Sequence, residues 1–322
     1  MFTRKEAIAI AALFALVEAA GAAEWPEKPV RIIFPYAAGS TGDGTARIIA
    51  RHLSDSFKTP FLVENRVGAN GLVGTEAVAR SAPDGHTLLW AVTPQMAISP
   101  VMTKVPYDPA KDFAPISAVS TNNFALVVNG KLPITSVAEF TQYVRSKEAG
   151  TFAYAEGGAG SITHLAMAMF LHRASLKGTN VSYRGTAPAI TDVVAGHLPA
   201  MFALFGDALS HAQNGSVRML AVASDKRSAQ APAIPTIAES GFPGFRAISW
   251  WGLMAPANTP KSTVGRIANA VAAATRDKTI IDQLTKFGVE PLGNGADEFA
   301  AMISADIVFW AEAVRTAGLE GK

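Results

Sequence analysis

The sequence predicts an α/β protein built on largely parallel sheets. Short apolar runs of strand length alternate with longer stretches in which apolar residues recur at helical spacing. Turns rich in glycine and proline separate these segments. Apolar residues make up 49% of the 322 residues and charged residues 17%, so the chain can build the cores of two domains of ordinary size.

The first 23 residues have the features of a secretory signal peptide. Arg4 and Lys5 give a basic start, residues 7–17 are apolar, and residues 21–23 are small enough for cleavage. The apolar run is shorter than the roughly 20 residues that a membrane-spanning helix needs. We therefore predict export to the periplasm with removal of residues 1–23; a retained membrane anchor is the alternative.

Charge and cysteine usage exclude several classes of function. The formal net charge is +2 and the basic residues are scattered, which is not the pattern of a nucleic-acid-binding protein. The chain has no cysteine, so thiolate catalysis and thiolate metal sites are excluded, and an exported chain of this kind depends on its core rather than on disulfides. No His-Glu-x-x-His motif is present, and neither a metal nor a cofactor is expected.

The first strand and the first helix flank a loop of small residues. Val30–Phe34 is apolar and β-branched, Pro35 ends the strand, and residues 37–44 lead into a helix with a continuous apolar stripe. The unpaired N–H groups at the start of such a helix, together with the positive end of its dipole, attract an anion. The glycines of the loop do not match a dinucleotide-binding or P-loop motif. The loop alone is therefore as consistent with a simple strand-to-helix connection as with an anion site.

The elements that follow continue the alternation. Strands are predicted at residues 61–65, 86–92, 124–129, 152–155, 181–183, 200–205, 219–223 and 250–255, and helices at residues 72–81, after Ser136, after Thr259-Pro260 and at residues 297–316. Residues 94–112 are predicted to be irregular, and residues 232–245 to connect two bodies.

A second loop repeats the physics of the first about 120 residues later. A strand enters a turn containing Gly157, Gly158 and Gly160, and Ser161 is placed to cap the helix that follows. Two such loops in two α/β bodies predict a cleft that closes on one ligand from both sides.

Side chains in the first loop suit a carboxylate ligand. Ser40 and Thr41 offer hydroxyl donors, and Tyr36 either lines the pocket or packs in the core. Asp43 could contact the ligand, but a bare carboxylate beside an anion site would repel it. Holding the loop is therefore the safer role for Asp43.

Two further candidate residues, Ser161 and His164, belong to the second loop. Ser161 can cap the helix and contact a ligand, whereas His164, one turn into the helix, is expected to pack or to make a supporting hydrogen bond.

Residues 38–42 fall one residue short of a Gly-x-Ser-x-Gly nucleophile elbow, so a serine hydrolase using Ser40 is a minor alternative. His197 and His211 could complete it, but no motif places them.

Seven segments occur in an order that resembles a known family. They are residues 35–43, 63–71, 83–88, 160–165, 183–188, 235–241 and 251–256. Together they resemble the Bug (TctC-type) extracytoplasmic solute receptors of tripartite tricarboxylate transporters, over nearly all of the chain that follows the predicted signal peptide.

The resemblance implies a two-domain periplasmic-binding-protein (Venus flytrap) fold with two crossover strands and a ligand cleft between the domains. Residues 24–124 plus 245–322 would form domain 1 and residues 125–244 domain 2. Family members seat a ligand carboxylate on the first loop and close the second loop over it. The expected partners are a small organic acid and a two-component membrane permease, and the receptor is expected to be a monomer. A ligand-sensing partner of a signalling receptor is an alternative function on the same fold.

Carried over to this sequence, the resemblance indicates one set of ligand-binding residues: Tyr36, Ala38, Gly39, Ser40, Thr41, Asp43, Glu156, Gly158, Ala159, Ser161, His164 and Ala203. Three of them depart from the family pattern. Ser40 replaces the second of two adjacent glycines, Glu156 stands where serine is common, and Ala203 stands where an acidic or amide residue often follows Met-Phe. We hypothesise that Glu156 pairs with a cationic or hydrogen-bond-donating part of the ligand, such as an amino group.

Overall fold

A computed structural model of the protein describes residues 25–320. The predicted signal peptide lies outside the described residues. The strands are β1 Val30–Phe34, β2 Phe61–Asn65, β3 Thr87–Val92, β4 Phe113–Asn129, β5 Ala153–Glu156, β6 Thr179–Ser182, β7 Ala200–Leu204, β8 Val217–Val222, β9 Ile248–Pro256 and β10 Val289–Pro291. The α-helices are α1 Thr41–Phe57, α2 Leu72–Ala79, α3 Ser99–Met102, α4 Val137–Arg145, α5 Ile162–Arg173, α6 Thr186–Ala195, α7 Phe205–Gln213, α8 Lys261–Ala274, α9 Lys278–Lys286 and α10 Ala296–Thr316. A 3-10 turn, Ala69–Gly71, precedes α2, and a π turn, Pro94–Ile98, precedes α3.

Strand β4 joins two sheets. Its first half, residues 113–123, pairs with β9, and the strand order on that side is β2-β1-β3-β9-β4. Its second half pairs with β7 and β8, and the order continues β4-β7-β5-β6. The predicted α/β class with crossover strands is therefore confirmed. The prediction of largely parallel sheets was wrong: every strand pair that involves β4 or β9 is antiparallel, because β4 crosses between the sheets and β9 returns beside it.

The strand directions bring the carboxyl ends of strands from both sheets to the same gap. β1 is parallel to β3, β3 is antiparallel to β9, and β9 is antiparallel to β4, so β1 and β3 run in the direction of β4 toward the second sheet. β7 is antiparallel to β4 and β5 is parallel to β7, so these strands run toward the first sheet. Ligand sites of open α/β sheets lie at the carboxyl ends of the strands. Here the carboxyl ends of both sheets border one gap, at the point where β4 passes between them.

The chain returns from the second sheet to the first beside β4. The Ala223 N–H donates to the Phe124 carbonyl at 2.7 Å, and the Ala247 N–H donates to the Ala223 carbonyl at 2.8 Å, just before β9 begins. Helix α10 is fastened to this return segment by buried Asp306. Its carboxylate accepts a hydrogen bond from Trp250 Nε1 at 2.8 Å and another from Arg246.

Each sheet has its own core, and two helical segments pack on both. Ile32, Trp90 and Leu253 are central to the first core, and Phe170 and Phe202 to the second. Residues from the segment 97–102 and from the end of α10 also join the second core, although the predicted division at 124/125 and 244/245 assigns them to domain 1. The sheets separate near those points, whereas these helices bridge both bodies; the domain boundaries remain a prediction.

Several element predictions were wrong in their bounds. β4 begins at Phe113, whereas its start was predicted at Phe124. The first half was missed because it contains buried polar residues such as Ser117, whose Oγ donates to the Asn294 carbonyl at 2.6 Å. Part of the segment 94–112 is helical rather than irregular. Thr259 does not cap α8; its Oγ1 donates to the Pro256 carbonyl at 2.8 Å, and the helix begins at Lys261.

Candidate functional site

The first loop carries β1 into α1 through a reciprocal cap. Ser40 is the N-cap residue, and its Oγ accepts a hydrogen bond from the Asp43 N–H at 3.3 Å. The Asp43 carboxylate accepts in return from the Gly39 N–H at 3.0 Å. Gly39 has a φ of +82°, a left-handed conformation that glycine adopts without strain. The cap is local in sequence and resembles a capping box, except that Asp43 accepts from Gly39, the residue before the N-cap, rather than from the N-cap residue.

Asp43 is buried and is the centre of a network that holds the loop. Arg47 donates to both carboxylate oxygens, from Nε and from a terminal nitrogen, each at 3.0 Å, and Asn65 Nδ2 donates at 2.9 Å. Burial opposes ionisation, but hydrogen bonds from Arg47, Gly39 and Asn65 outweigh it and lower the pKa of Asp43 below its usual range. Asp43 therefore stays ionised, and its bonding capacity is used within the loop, in agreement with the safer of its two predicted roles.

Tyr36 lies where the ends of three strands converge. It follows β1, its hydroxyl lies 3.5 Å from the Asn70 carbonyl in the loop after β2, and buried Gln95 follows β3, with Nε2 at 3.5 Å from the same carbonyl. Desolvation raises the pKa of the Tyr36 hydroxyl, against a hydrogen bond from Gln95 that lowers it, so the hydroxyl stays neutral. Arg47, Asn65 and Gln95 were missed as supporting residues, because only the packing of distant strand ends shows their roles.

The first loop leaves backbone donors available. Within residues 25–320, the N–H groups of Ser40, Thr41 and Gly42 have no acceptor. They belong to the first turn of the 17-residue helix α1, whose dipole adds positive potential. Ala38, Gly39 and Ser40 are exposed and Thr41 is half-buried, so an anion can approach this end of the helix.

The second loop repeats the cap with a different acceptor. Ser161 is the N-cap of α5, and its Oγ accepts from the His164 N–H at 3.2 Å. His164 Nδ1 accepts in return from the Gly160 N–H at 3.3 Å, and Gly160 has a φ of +73°. Burial lowers the pKa of His164, although the charge of Glu156 opposes this. The ring is therefore neutral, as an acceptor at Nδ1 requires; the predicted supporting hydrogen bond is present.

Glu156, at the end of β5, is used inside the second loop. Its side chain is 0% exposed and accepts hydrogen bonds from the Gly158 N–H, from Ser161 Oγ at 3.4 Å and from Asn180 Nδ2 at 3.3 Å. This geometry does not support the hypothesis that Glu156 pairs with an amino group of the ligand, because the carboxylate has no surface to offer. It holds its own loop, as Asp43 does in the first one.

Backbone donors remain in the second loop as well. In the part of the chain that the structure describes, the N–H groups of Ala159, Ile162 and Thr163 have no acceptor. Ala159 is exposed, and Gly158 and Ser161 are half-buried. The second loop thus has the same kind of unpaired backbone N–H groups as the first, at the carboxyl end of a strand in the other sheet.

Ala203 is the predicted site residue that the structure leaves out of the two loops. It lies on β7 opposite Ala125 and is 1% exposed, within the core under the second sheet. A methyl group at this position packs in that core and offers no polar group to a ligand.

Other surface features lie away from the two loops. A cavity of about 220 Å³ between α5 and α10 is lined by residues such as His172, Arg173 and Phe309. Another, of about 250 Å³, lies beside β8 near Gly130 and Ala212. Among residues 25–320, no helix is long and apolar enough to span a membrane, and no group of His, Asp or Glu side chains is arranged to hold a metal.

Comparisons with known proteins find similarity over nearly the whole chain. The family model described as "Tripartite tricarboxylate transporter family receptor" (TctC) matches residues 45–319. Protein BugT of Bordetella pertussis (strain Tohama I) is 33% identical over 300 residues, which are 92% of each chain. The structure of R. palustris Rpa4515 with adipate superposes with a TM-score of 0.83 at 30% identity, over 93% of this chain and 100% of the other.

A further solved structure is MatC from Rhodopseudomonas palustris with bound malate. It superposes with a TM-score of 0.77 at 28% identity, over 90% of this chain and 100% of the other. The family consists of periplasmic solute-binding receptors and not of enzymes, and its two-domain fold is the one described above. This chain belongs to the TctC family of tripartite tricarboxylate transporter receptors.

Proposed function

We propose that this protein is exported to the periplasm, captures a small carboxylate between the first and second loops, and delivers it to a two-component membrane permease. The observation that carries the proposal is the pair of helix starts, α1 and α5, that border one gap. Each has three N–H groups without an acceptor in the described chain.

These groups suit a carboxylate physically. Backbone N–H groups and the Ser40, Thr41 and Ser161 hydroxyls can replace the water that hydrates the anion. A hydrogen bond to a charged group contributes roughly 1.5–3 kcal/mol. When the two bodies close, water is excluded and the electrostatic attraction strengthens. In the first loop, Arg47 compensates the charge of Asp43, so that carboxylate repels the ligand less than a bare one would.

The similarity to structures that hold adipate and malate supports an organic acid as the ligand class. Tyr36, Ala38, Gly39, Ser40 and Thr41 would form one wall. Gly158, Ala159 and Ser161 would form the other, while Asp43, Glu156 and His164 support the loops from within. The signal-peptide features of residues 1–23 support export. The family's name supports the permease as partner and a transport role.

A proline substitution tests whether the backbone N–H donors at the start of α1 bind the ligand. Thr41 is the first residue of α1, where proline is tolerated, and Ser40 before it is extended (ψ 164°), as a residue before proline prefers. Thr41→Pro deletes the N–H donor of this position together with the Thr41 hydroxyl. We expect it to weaken acid binding about tenfold, measured by calorimetry with whichever acid of a panel raises the melting temperature most.

The matched control is Ala296→Pro, at the first position of α10, which begins on a different part of the molecule and also follows an extended residue. It should leave acid affinity unchanged. Equal effects of the two variants, or no thermal shift with any acid, would contradict the proposal. At 100 times its Kd, a ligand should add about 2.7 kcal/mol of stability.

Delivery is tested in cells. Deleting the gene should abolish uptake of the acid identified above, and a Thr41→Pro allele should lower it. Unchanged uptake combined with a lost transcriptional response to the acid would instead indicate a sensing partner.

A further inference from the structure

The starting observation is a large apolar side chain left partly exposed between the two bodies. Phe287 lies between α9 and β10 and is 39% exposed. Its ring rests on the first turn of α1: a Cβ built on Gly44 would lie 2.5 Å from the ring atom Cζ. Glycine at position 44 therefore allows the ring to lie directly against the helix that begins at the first loop.

The backbone beside Phe287 is fixed against the second body. A Cβ on Gly288 would lie 2.6 Å from the Gly206 Cα, and a Cβ on Gly206 would lie 3.1 Å from the Phe287 carbonyl oxygen. Gly206 belongs to the first turn of α7, directly after β7. Phe287 thus joins the start of α1 to the start of α7, and close contact between the two glycines leaves its position little freedom.

Strand register places this contact at the level of the gap. Val289 on β10 pairs with Asn122 on β4, and Leu204 on β7 pairs with Phe124. The segments that contain Phe287 and Gly206 therefore meet beside Asn123, where β4 passes from one sheet to the other. The carboxyl ends of β1, β5 and β7 also border this gap, so Phe287 lies at the same level as the gap.

We propose that Phe287 forms an apolar wall of the ligand cleft and determines specificity, so that the bound acid carries a hydrocarbon or aromatic body. This inference rests on the proposed function and specifies its ligand class. The amides of the two loops bind the carboxylate, whereas the phenyl ring is covered by the apolar part of the ligand, because contact with carbon removes its surface from water. A short, hydroxylated acid would leave the phenyl ring exposed to water and would bind more weakly than an acid with a hydrocarbon or aromatic body.

Calorimetry with four acids (malate, succinate, adipate and benzoate) tests this. The wild-type protein should bind adipate or benzoate at least tenfold tighter than malate. Phe287→Ala should reduce that preference about tenfold, equivalent to 1.4 kcal/mol, with little change for malate. Phe287→Leu, which keeps the wall apolar, should retain most of the adipate preference and reports on the wall if the alanine variant folds poorly.

The matched control is Val308→Ala, which shortens an apolar side chain that is 73% exposed on α10. It should leave all four affinities unchanged. The inference is overturned if the wild-type protein prefers malate or succinate, or if Phe287→Ala keeps the wild-type preference. In either case binding of an acid leaves the proposed function intact; if none of the four acids binds, the inference is overturned, and a wider panel of acids then decides the proposed function.

Discussion

The two loops share one cap geometry and differ in its chemistry. In both, a left-handed glycine precedes a serine N-cap, and the third residue after that serine accepts a hydrogen bond from the glycine N–H. The acceptor is the carboxylate of Asp43 in the first loop and the neutral ring of His164 in the second. The position of the acceptor therefore shapes the loop, whereas its charge decides which other partners the loop needs.

Those partners also differ. Asp43 is compensated by a guanidinium from its own helix, Arg47, and by Asn65 at the end of β2. The second loop has a buried carboxylate as well, but Glu156 precedes the loop and is satisfied by the Gly158 N–H, Ser161 and Asn180. The first loop depends on an ion pair, and the second on uncharged donors.

The largest effect is expected from removing the centre of the first network. Asp43→Ala leaves the Gly39 N–H, Asn65 and Arg47 without their shared acceptor, so we expect a loss of about 3 kcal/mol in the free energy of unfolding. Asp55→Ala, on an exposed position of the same helix, should change it by less than about 0.5 kcal/mol. Urea unfolding of both variants measures this. Equal stability of the two variants would show that the ion pair does not hold the loop.

A smaller loss is expected from Glu156→Gln. The amide can still accept from the Gly158 N–H, but its NH2 group would face donors, so we expect a loss of about 2 kcal/mol. Glu148→Gln, at an exposed position, is the control. Affinity should fall to a similar extent for acids with and without an amino group. A loss confined to amino acids would restore the hypothesis that Glu156 contacts the ligand.

Alanine substitutions at Gly39 and Gly160 distinguish the cost of backbone strain from the cost of steric crowding. Gly39→Ala places its Cβ in open space and should cost about 1 kcal/mol in stability for the conformation alone. Gly160→Ala adds contacts of 2.5 Å with Met102 Cε and Sδ, a flexible side chain that must move. It should therefore cost more than Gly39→Ala in thermal unfolding. The reverse order would contradict the close packing of the second loop on α3.

The smallest effect is a difference in pH dependence. Burial lowers the folded-state pKa of His164 below the unfolded value of about 6.5, so the unfolded chain binds more protons below that pH. The contribution of the second loop is complete above pH 6.5 and decreases as the pH falls toward the folded-state pKa. The pKa of Asp43 is also lowered, so its contribution is complete above about pH 3.9 and is lost only in stronger acid.

Between pH 7 and 5, the second loop should therefore lower the melting temperature, whereas the first loop should not. His164→Asn replaces the ring with an amide whose oxygen can accept from the Gly160 N–H without titrating, and it should flatten this part of the profile. A profile unchanged by His164→Asn would remove His164 as its cause.

Local chemistry explains which parts of the fold and site were predictable. The strands at residues 30–34 and 61–65 and the serine cap at Ser161 were predicted from neighbouring residues, and the structure has them at those positions. The cap at Ser40 is equally local but was not predicted. β10 and α9 were missed, because a three-residue strand gains its stability by pairing with distant β4. Chain length and the two glycine-rich loops indicated two bodies, and the resemblance to a receptor family supplied their arrangement with crossover strands, which no local pattern specifies.

By itself, the sequence determined that two glycine-rich turns lead into capped helices, because capping involves residues only three or four positions apart. Only the tertiary structure decided that Asp43 meets Asn65, that Glu156 is buried and that Phe287 lies between Gly44 and Gly206. These contacts join positions that are 22 to more than 200 residues apart. The path and register of β4 bring the two bodies together, and pairing across a sheet leaves little trace in the order of neighbouring residues.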